Sequence, residues 1–176
     1  TGFKMVDIKR LSAISENSVN GETVRLVPIT ELGFNTSYEF SIQKDSSLLM
    51  GNDYERTDLI NEFFSQIDTS LRIMQSDKKE RSGSVIFKVM SEELNKLSES
   101  NGNRKTAVIN TDFMEMSFIN FYHPDTMSII QNHPEIIKKK LLKKYPLKQL
   151  NGIAILFVYL PKDKTDSDRY EVLSQF

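Results

Sequence analysis

The chain has 176 residues, of which 39% are hydrophobic and 27% charged, enough apolar sequence for one core of ordinary size. With 23 Lys and Arg against 24 Asp and Glu, the formal net charge is −1, so no overall field attracts nucleic acid or an anionic membrane. The sequence has no cysteine, which excludes disulfides and thiol catalysis, and its longest apolar run, 153–160, is far shorter than the roughly 20 residues of a membrane span. We therefore expect one soluble domain over residues 1–176.

The amino-terminal part is predicted to contain a helix and two strands. Apolar residues at steps of three predict a short amphipathic helix over Phe3–Ile14. The β-branched segment Val24–Thr30 and the alternating segment Tyr38–Gln43 predict two strands. Their short separation favours an antiparallel pair.

The remaining helices are predicted from apolar stripes and from proline. Residues 57–75 and 84–98 carry apolar side chains at helical spacing. Pro134 opens a third helix that runs to Tyr145, because a proline at the first helical position costs no hydrogen bond. A less regular region precedes it, and a short helix over Tyr170–Phe176 closes the chain.

Two further strands are predicted to be buried and parallel. One covers Thr106–Thr111, and the other is the continuous apolar run Ile153–Leu160, which is typical of a strand covered by helices on both faces. The residues predicted to be buried in the core are Phe63, Ile67, Leu71, Val89, Val108, Ile155 and Phe157.

This order of elements predicts the fold class and the place of a site. Helices that alternate with buried strands favour an α/β fold, a three-layer sandwich with a mainly parallel central sheet and one antiparallel edge strand. Ligands of such sheets bind where the strands end, at the carboxyl edge. We therefore expect the site near the polar segments Asn110–Asp112 and Pro161–Asp163.

Two short motifs carry a resemblance to a known family. Ser82-Gly83-Ser84 precedes a predicted helix, and the buried strand at Val108 ends in the pair Thr111-Asp112. With the order of elements, these motifs resemble the von Willebrand factor A-type (VWA) domain, and more narrowly VWA-like proteins of Bacteroidetes. The resemblance implies a Rossmann-like fold and a metal-ion-dependent adhesion site.

In that site, the resemblance implies that Asp112, Ser84 and Ser82 hold Mg²⁺, a hard cation that prefers carboxylate and hydroxyl oxygens. The family's first strand and its Asp-x-Ser-x-Ser motif would lie before Met5, and the printed sequence begins at Thr1. We therefore expect a VWA-like domain whose first strand is missing before residue 1, and a magnesium site that is incomplete without it.

Each candidate residue also has a simpler interpretation. Asp112 can be a helix N-cap or a turn residue, and Ser84 can be the N-cap of the next helix. Glu115 can be a solvent-exposed acid. His123 and His133 can be zinc ligands or a catalytic base, but with no carboxylate at ligand spacing they are better explained as loop histidines.

The helix after Pro134 is basic, with lysines at 138, 139, 140, 143, 144 and 148. Its lysines could meet phosphates, acidic lipid or an acidic partner. The favoured interpretation is that they form the solvated face of the helix, because the neighbouring apolar strand needs helical cover. No aromatic residues alternate with them, so nucleic-acid binding is poorly supported.

These observations favour a binding protein over an enzyme. The sequence has no Gly-x-Ser-x-Gly motif, no phosphate loop and no dinucleotide fingerprint. We expect a VWA-type interaction module that binds a protein partner. Two alternatives stay open: a metal-dependent phosphoester hydrolase centred on Asp112, and a metal-free structural subunit.

Overall fold

The computed structural model describes residue 10 and residues 21–30, 36–42, 53–76 and 84–176. Within these ranges the chain is α/β, with five helices and two small sheets. The strands are β1 (Thr23–Leu26), β2 (Tyr38–Ser41), β3 (Lys105–Asn110) and β4 (Ile153–Val158). The helices are α1 (Asp53–Ser76), α2 (Ile86–Glu99), α3 (Pro124–Asn132), α4 (Pro134–Lys144) and α5 (Lys164–Gln175).

The chain forms two compact units. One consists of Thr1–Pro28 and Phe34–Glu80, and the other of Ile29–Gly33 and Arg81–Phe176. The helix predicted over Phe3–Ile14 falls, apart from Arg10, outside the described residues. A single domain over residues 1–176 stays a prediction.

The first unit is built on an antiparallel strand pair. Strands β1 and β2 pair with Val24 opposite Phe40, which confirms the predicted pairing, and α1 packs against β2. Helix α1 also confirms the helix predicted over residues 57–75 and extends it at both ends. The buried core of this unit consists of Ile42, Phe63, Ile67 and Leu71, the last three of which were predicted.

The second unit is built on a parallel strand pair. Strands β3 and β4 pair from Lys105 opposite Ile153 to Asn110 opposite Val158, which confirms the predicted parallel arrangement. Because the strands are parallel and in register, both end at the same edge of the sheet. Helix α2 packs against β3, and its Val89 is buried as predicted.

The prediction that β4 is covered on both faces is wrong. Leu156 and Phe157 are 37% and 44% exposed, and Ile155 and Val108 are half-buried. An apolar run indicates that at least one face of a strand packs against other elements, but it does not show whether both faces do. The buried core lies instead among the segments that follow β3: Phe113, Met114, Ile119, Phe121, Ile130, Ile137, Leu141 and Leu173.

Two helices differ from the prediction. Helix α3 was missed, because its nine residues are too few for an apolar stripe to stand out. Helix α5 begins at Lys164, earlier than the predicted Tyr170. The prediction placed the start too late because the first turn of the helix is polar and shows no apolar stripe. Asp163 caps that turn by accepting a hydrogen bond from the Asp166 amide over 2.9 Å.

Helix α4 presents its lysines to solvent. Ile137 and Leu141 are buried, whereas Ile136 and Leu142 are exposed along with all five lysines of the helix. This burial fits the interpretation of a solvated basic face. Among the described residues, no helix combines the length and the apolar character that a bilayer crossing requires.

We predict that two phenylalanines of the second unit contribute unequally to stability. Phe121 is fully buried, so Phe121→Ala should lower the free energy of unfolding by about 3–5 kcal/mol through lost burial and the cavity left behind. Phe157→Ala removes the same atoms from a side chain that is 44% exposed and should cost less than half as much. Urea denaturation of both variants tests this. Equal losses would show that β4 is buried after all.

Candidate functional site

The candidate site is a cleft at the carboxyl ends of the parallel strands, with a volume of about 240 Å³. The cleft lies wholly within the second unit. Its lining residues are Ile29, Ser84, Ile86, Asn110, Thr111, Asp112 and Tyr159. Two predicted site residues, Ser84 and Asp112, therefore come together here. Ser82 lies outside the described residues.

Asp112 stabilises the turn that follows β3. Its Oδ1 accepts a hydrogen bond from the Met114 amide over 3.0 Å, and the Thr111 hydroxyl accepts one from the Phe113 amide over 3.0 Å. Asp112 is therefore a turn residue, as one interpretation predicted, and not a helix N-cap. Its other oxygen, Oδ2, has no hydrogen-bond partner among the described residues.

The backbone of this turn is strained at Phe113. Its φ is +59°, in the left-handed region, which costs a residue with a side chain about 1–2 kcal/mol. Aromatic packing offsets the strain, because the Phe113 ring stacks on Tyr170 at 5.6 Å and contacts Phe157 at 4.9 Å between ring centroids. Strained backbone of this kind is concentrated at functional sites.

Ser84 lies at the other side of the cleft, just before α2. The interpretation of Ser84 as N-cap is wrong, because Val85 holds that position and its side chain cannot accept a hydrogen bond. The Ser84 carbonyl accepts a hydrogen bond from the Met116 amide over 2.9 Å. Its hydroxyl makes no hydrogen bond within the described part of the chain, so it is available to a ligand in the cleft.

Glu115 supplies the cap that Val85 cannot. Its Oε2 accepts hydrogen bonds from the amides of Ile86 and Phe87, over 2.7 and 3.0 Å. The side chain is fully buried, so the interpretation of Glu115 as a solvent-exposed acid is wrong. Its Oε1 is buried without a hydrogen-bond partner in the described structure. A carboxylate is stable there because the positive end of the helix dipole faces it.

A tyrosine and a second carboxylate extend the site beyond β4. The Tyr159 hydroxyl, at the wall of the cleft, donates to Asp166 Oδ2 over 2.6 Å, and the Lys162 amide donates to the same oxygen over 2.8 Å. These hydrogen bonds, that of Tyr159 first, lower the pKa of Asp166. Burial, followed by the bond to Asp166 and the charges of Asp166 and Asp112, raises the pKa of Tyr159.

Tyr122, in the loop before α3, is influenced by the charge of Asp112. Burial first, and then the negative charge of Asp112, raises the pKa of the Tyr122 phenol, while the positive charge of Arg169 opposes the shift.

Sequence reasoning missed Tyr122, Tyr159 and Asp166. For Tyr159 and Asp166 a signal existed, because they flank the polar segment predicted as part of the carboxyl edge.

The two histidines flank α3. His123 is its N-cap, with Nδ1 accepting a hydrogen bond from the Asp125 amide over 3.3 Å. His133 lies between α3 and α4, and its Nδ1 is 3.8 Å from Glu135 Oε1. These positions fit the interpretation as loop histidines. Within the described ranges, no three His, Asp or Glu side chains converge as a metal-binding group.

The chemistry of the cleft is that of oxygen donors. Its lining residues include Asp112, Ser84, Tyr159 and Asn110, whose side chains carry a carboxylate, two hydroxyls and an amide. Such oxygens suit a hard divalent cation, although a single carboxylate gives weak affinity.

Comparison of the chain with protein-family models, curated proteins and solved structures finds no match.

We predict that Tyr159 makes stability fall at alkaline pH. Because its pKa in the folded state lies above the ordinary value of 10.0, the unfolded chain loses this proton first, and the free energy of unfolding decreases as pH rises above 10. Tyr159→Phe removes this contribution. The variant should be less stable at pH 7, where it lacks the bond to Asp166, and should lose less stability than wild type above pH 10.

Urea unfolding from pH 7 to pH 11 measures this difference, with the exposed Tyr54→Phe as the matched control. Tyr122 and Tyr145, whose pKa values are also raised by burial, keep some of the slope in every variant. Parallel curves for wild type and Tyr159→Phe would contradict the assignment.

Proposed function

We propose that this protein is a binding module of VWA type whose cleft holds a hard divalent cation weakly and contacts a protein partner. The observation that carries the proposal is that one cleft, at the carboxyl ends of two parallel strands, is lined by both Ser84 and Asp112. The motifs that contain these two residues are those in which the chain resembles the family.

The donor set supports Mg²⁺ as the cation. Asp112 Oδ2 and the Ser84 hydroxyl would be its protein ligands, and the resemblance implies Ser82 as a third ligand. Mg²⁺ keeps several waters and leaves a coordination position that an acidic group of a partner can occupy. When bound, the cation would supply a positive charge that recognises that acidic group.

The arrangement favours binding over hydrolysis. Metal-assisted phosphoester hydrolysis uses several carboxylates or histidines that converge on the metal. Among the described residues that line the cleft, Asp112 is the only one with a carboxylate, and Asp166 is engaged by Tyr159 and Lys162. The alternative of a hydrolase centred on Asp112 therefore has less support.

A metal-free structural subunit is the second candidate. The turn at Asp112 and Thr111 satisfies its own amides without a cation, which supports a fold that has no need of one. In either case we propose that β3 and β4 belong to a mainly parallel, VWA-like central sheet. The three-layer sandwich predicted from the sequence would need a further layer over Leu156 and Phe157, which are exposed in the described structure.

We predict weak cation binding that depends on the charge of Asp112. In ¹H–¹⁵N spectra of the whole chain, micromolar Mn²⁺ should broaden the amide signals of Ser84 and Asp112 before others, and excess Mg²⁺ should reverse the broadening. Asp112→Asn keeps an oxygen for the Met114 amide but loses the negative charge, so this broadening should disappear. Asp125→Asn, at an exposed acid away from the cleft, should behave as wild type.

Two outcomes would contradict the cation site. Wild-type spectra that Mn²⁺ leaves unchanged at these amides favour the metal-free subunit, and broadening that survives in Asp112→Asn places the ion elsewhere. Steady hydrolysis of a chromogenic phosphomonoester that Asp112→Asn abolishes would favour the enzyme.

A further inference from the structure

We infer that Glu115 is a positioning residue that joins the segment carrying Ser84 to the turn carrying Asp112. The two oxygens on which the cleft depends are then held at a fixed separation. This inference rests on the proposed function of the cleft, and it concerns a residue that lies outside the cleft lining.

Three hydrogen bonds connect the two segments. The amides of Ile86 and Phe87 donate to the Glu115 carboxylate, over 2.7 and 3.0 Å. The Met116 amide donates to the Ser84 carbonyl over 2.9 Å. Residues 84–87 are thus tied, on two sides, to residues 115–116.

The connection continues from Glu115 to Asp112 through a rigid turn. The Glu115 amide donates to the Phe113 carbonyl over 2.8 Å, and the Met114 amide donates to Asp112 Oδ1 over 3.0 Å. On the other side, the Phe121 amide donates to the Glu115 carbonyl over 2.9 Å. Every residue from Asp112 to Glu115 therefore has its backbone or side chain held by a local hydrogen bond or by core packing.

The cap of α2 comes from a residue that is distant in the sequence. Most helices are capped by the side chain next to their first turn, which stabilises the helix alone. Here the capping carboxylate comes from 29 residues further along the chain, and it is fully buried. A local cap would satisfy α2 equally well, but of the three hydrogen bonds between the segments it would leave just the one from the Met116 amide to the Ser84 carbonyl.

Loss of the Glu115 charge should therefore affect the cleft as well as the helix. Glu115→Gln keeps the shape but weakens both bonds to α2, because a neutral amide oxygen accepts hydrogen bonds less strongly than a carboxylate. Its amide nitrogen would occupy the buried position of Oε1, which has no hydrogen-bond partner in the described structure. Residues that orient metal ligands typically change metal affinity by about 10–100-fold when they are replaced.

The first measurement needs no metal. Amide hydrogen exchange should become at least about tenfold faster in Glu115→Gln at Met116, which bonds Ser84, and at Met114, which bonds Asp112. The control is Val89→Ala, which should destabilise the protein from a buried position of α2 that makes none of the three hydrogen bonds between the segments. When Val89→Ala and Glu115→Gln are compared at equal free energies of unfolding, Val89→Ala should leave the amide exchange rates of Met114 and Met116 at their wild-type values.

The second measurement uses Mn²⁺ as the probe. The concentration that broadens the Asp112 amide should rise about tenfold or more in Glu115→Gln and stay unchanged in Val89→Ala. If Glu115→Gln does not fold, Glu115→Asp keeps the charge but withdraws it by one methylene, and the same two readouts apply to it.

The outcomes separate this inference from the proposed function. Wild-type exchange rates at Met114 and Met116 in the Glu115 variants, or equal acceleration in Val89→Ala, overturn the positioning role. Fast exchange in the Glu115 variants without any Mn²⁺ effect in wild type supports the positioning role and refutes the cation site.

Discussion

Oε2 of the buried Glu115 carboxylate accepts hydrogen bonds from the first backbone amides of α2, and the second unit depends on this contact. A buried carboxylate without partners costs several kcal/mol, and the first amides of a helix have no partners within the helix. The contact also fixes the loop after β3, and this loop contributes Phe113, Met114, Ile119 and Phe121 to the buried core. The candidate site and the core therefore share one scaffold, so a change at Glu115 should reach both.

Much of the fold follows from local sequence pattern. The alternation in residues 38–43, the apolar stripe of α1 and the apolar runs of β3 and β4 are local signals, and the structure confirms the elements and both strand pairings. Burial is less predictable, because it depends on what a strand meets across the fold. Phe63 lies on the one apolar stripe of a helix and is buried as predicted. Phe157 lies on a strand that is apolar on both faces, and its sequence cannot tell which face has a neighbour.

Residues of the candidate site could be predicted where they lie at the end of a predicted strand. They could not be predicted where a contact with a residue distant in the sequence places them. Asp112 ends a strand, so its place at the carboxyl edge follows from the strand prediction alone. Ser84, which the resemblance puts in the same site as Asp112, lines the same cleft. Nothing near Glu115 marks it as a cap for a helix 29 residues earlier, and an acid in an irregular segment is ordinarily exposed. Tyr159 and Asp166 were missed because their hydrogen bond joins the end of a strand to a helix whose start was placed too late.

The proposed function depends on whether the cleft beside Asp112 binds a hard cation. Crystals of the chain grown in MnCl₂, with diffraction recorded near the manganese absorption edge, test it most directly because anomalous scattering locates the ion itself. We expect an anomalous peak within coordinating distance of Asp112 Oδ2 and the Ser84 hydroxyl, with Glu115 still bonded to the amides of α2. Anomalous peaks only at other acidic side chains, with the cleft filled by water, would contradict it.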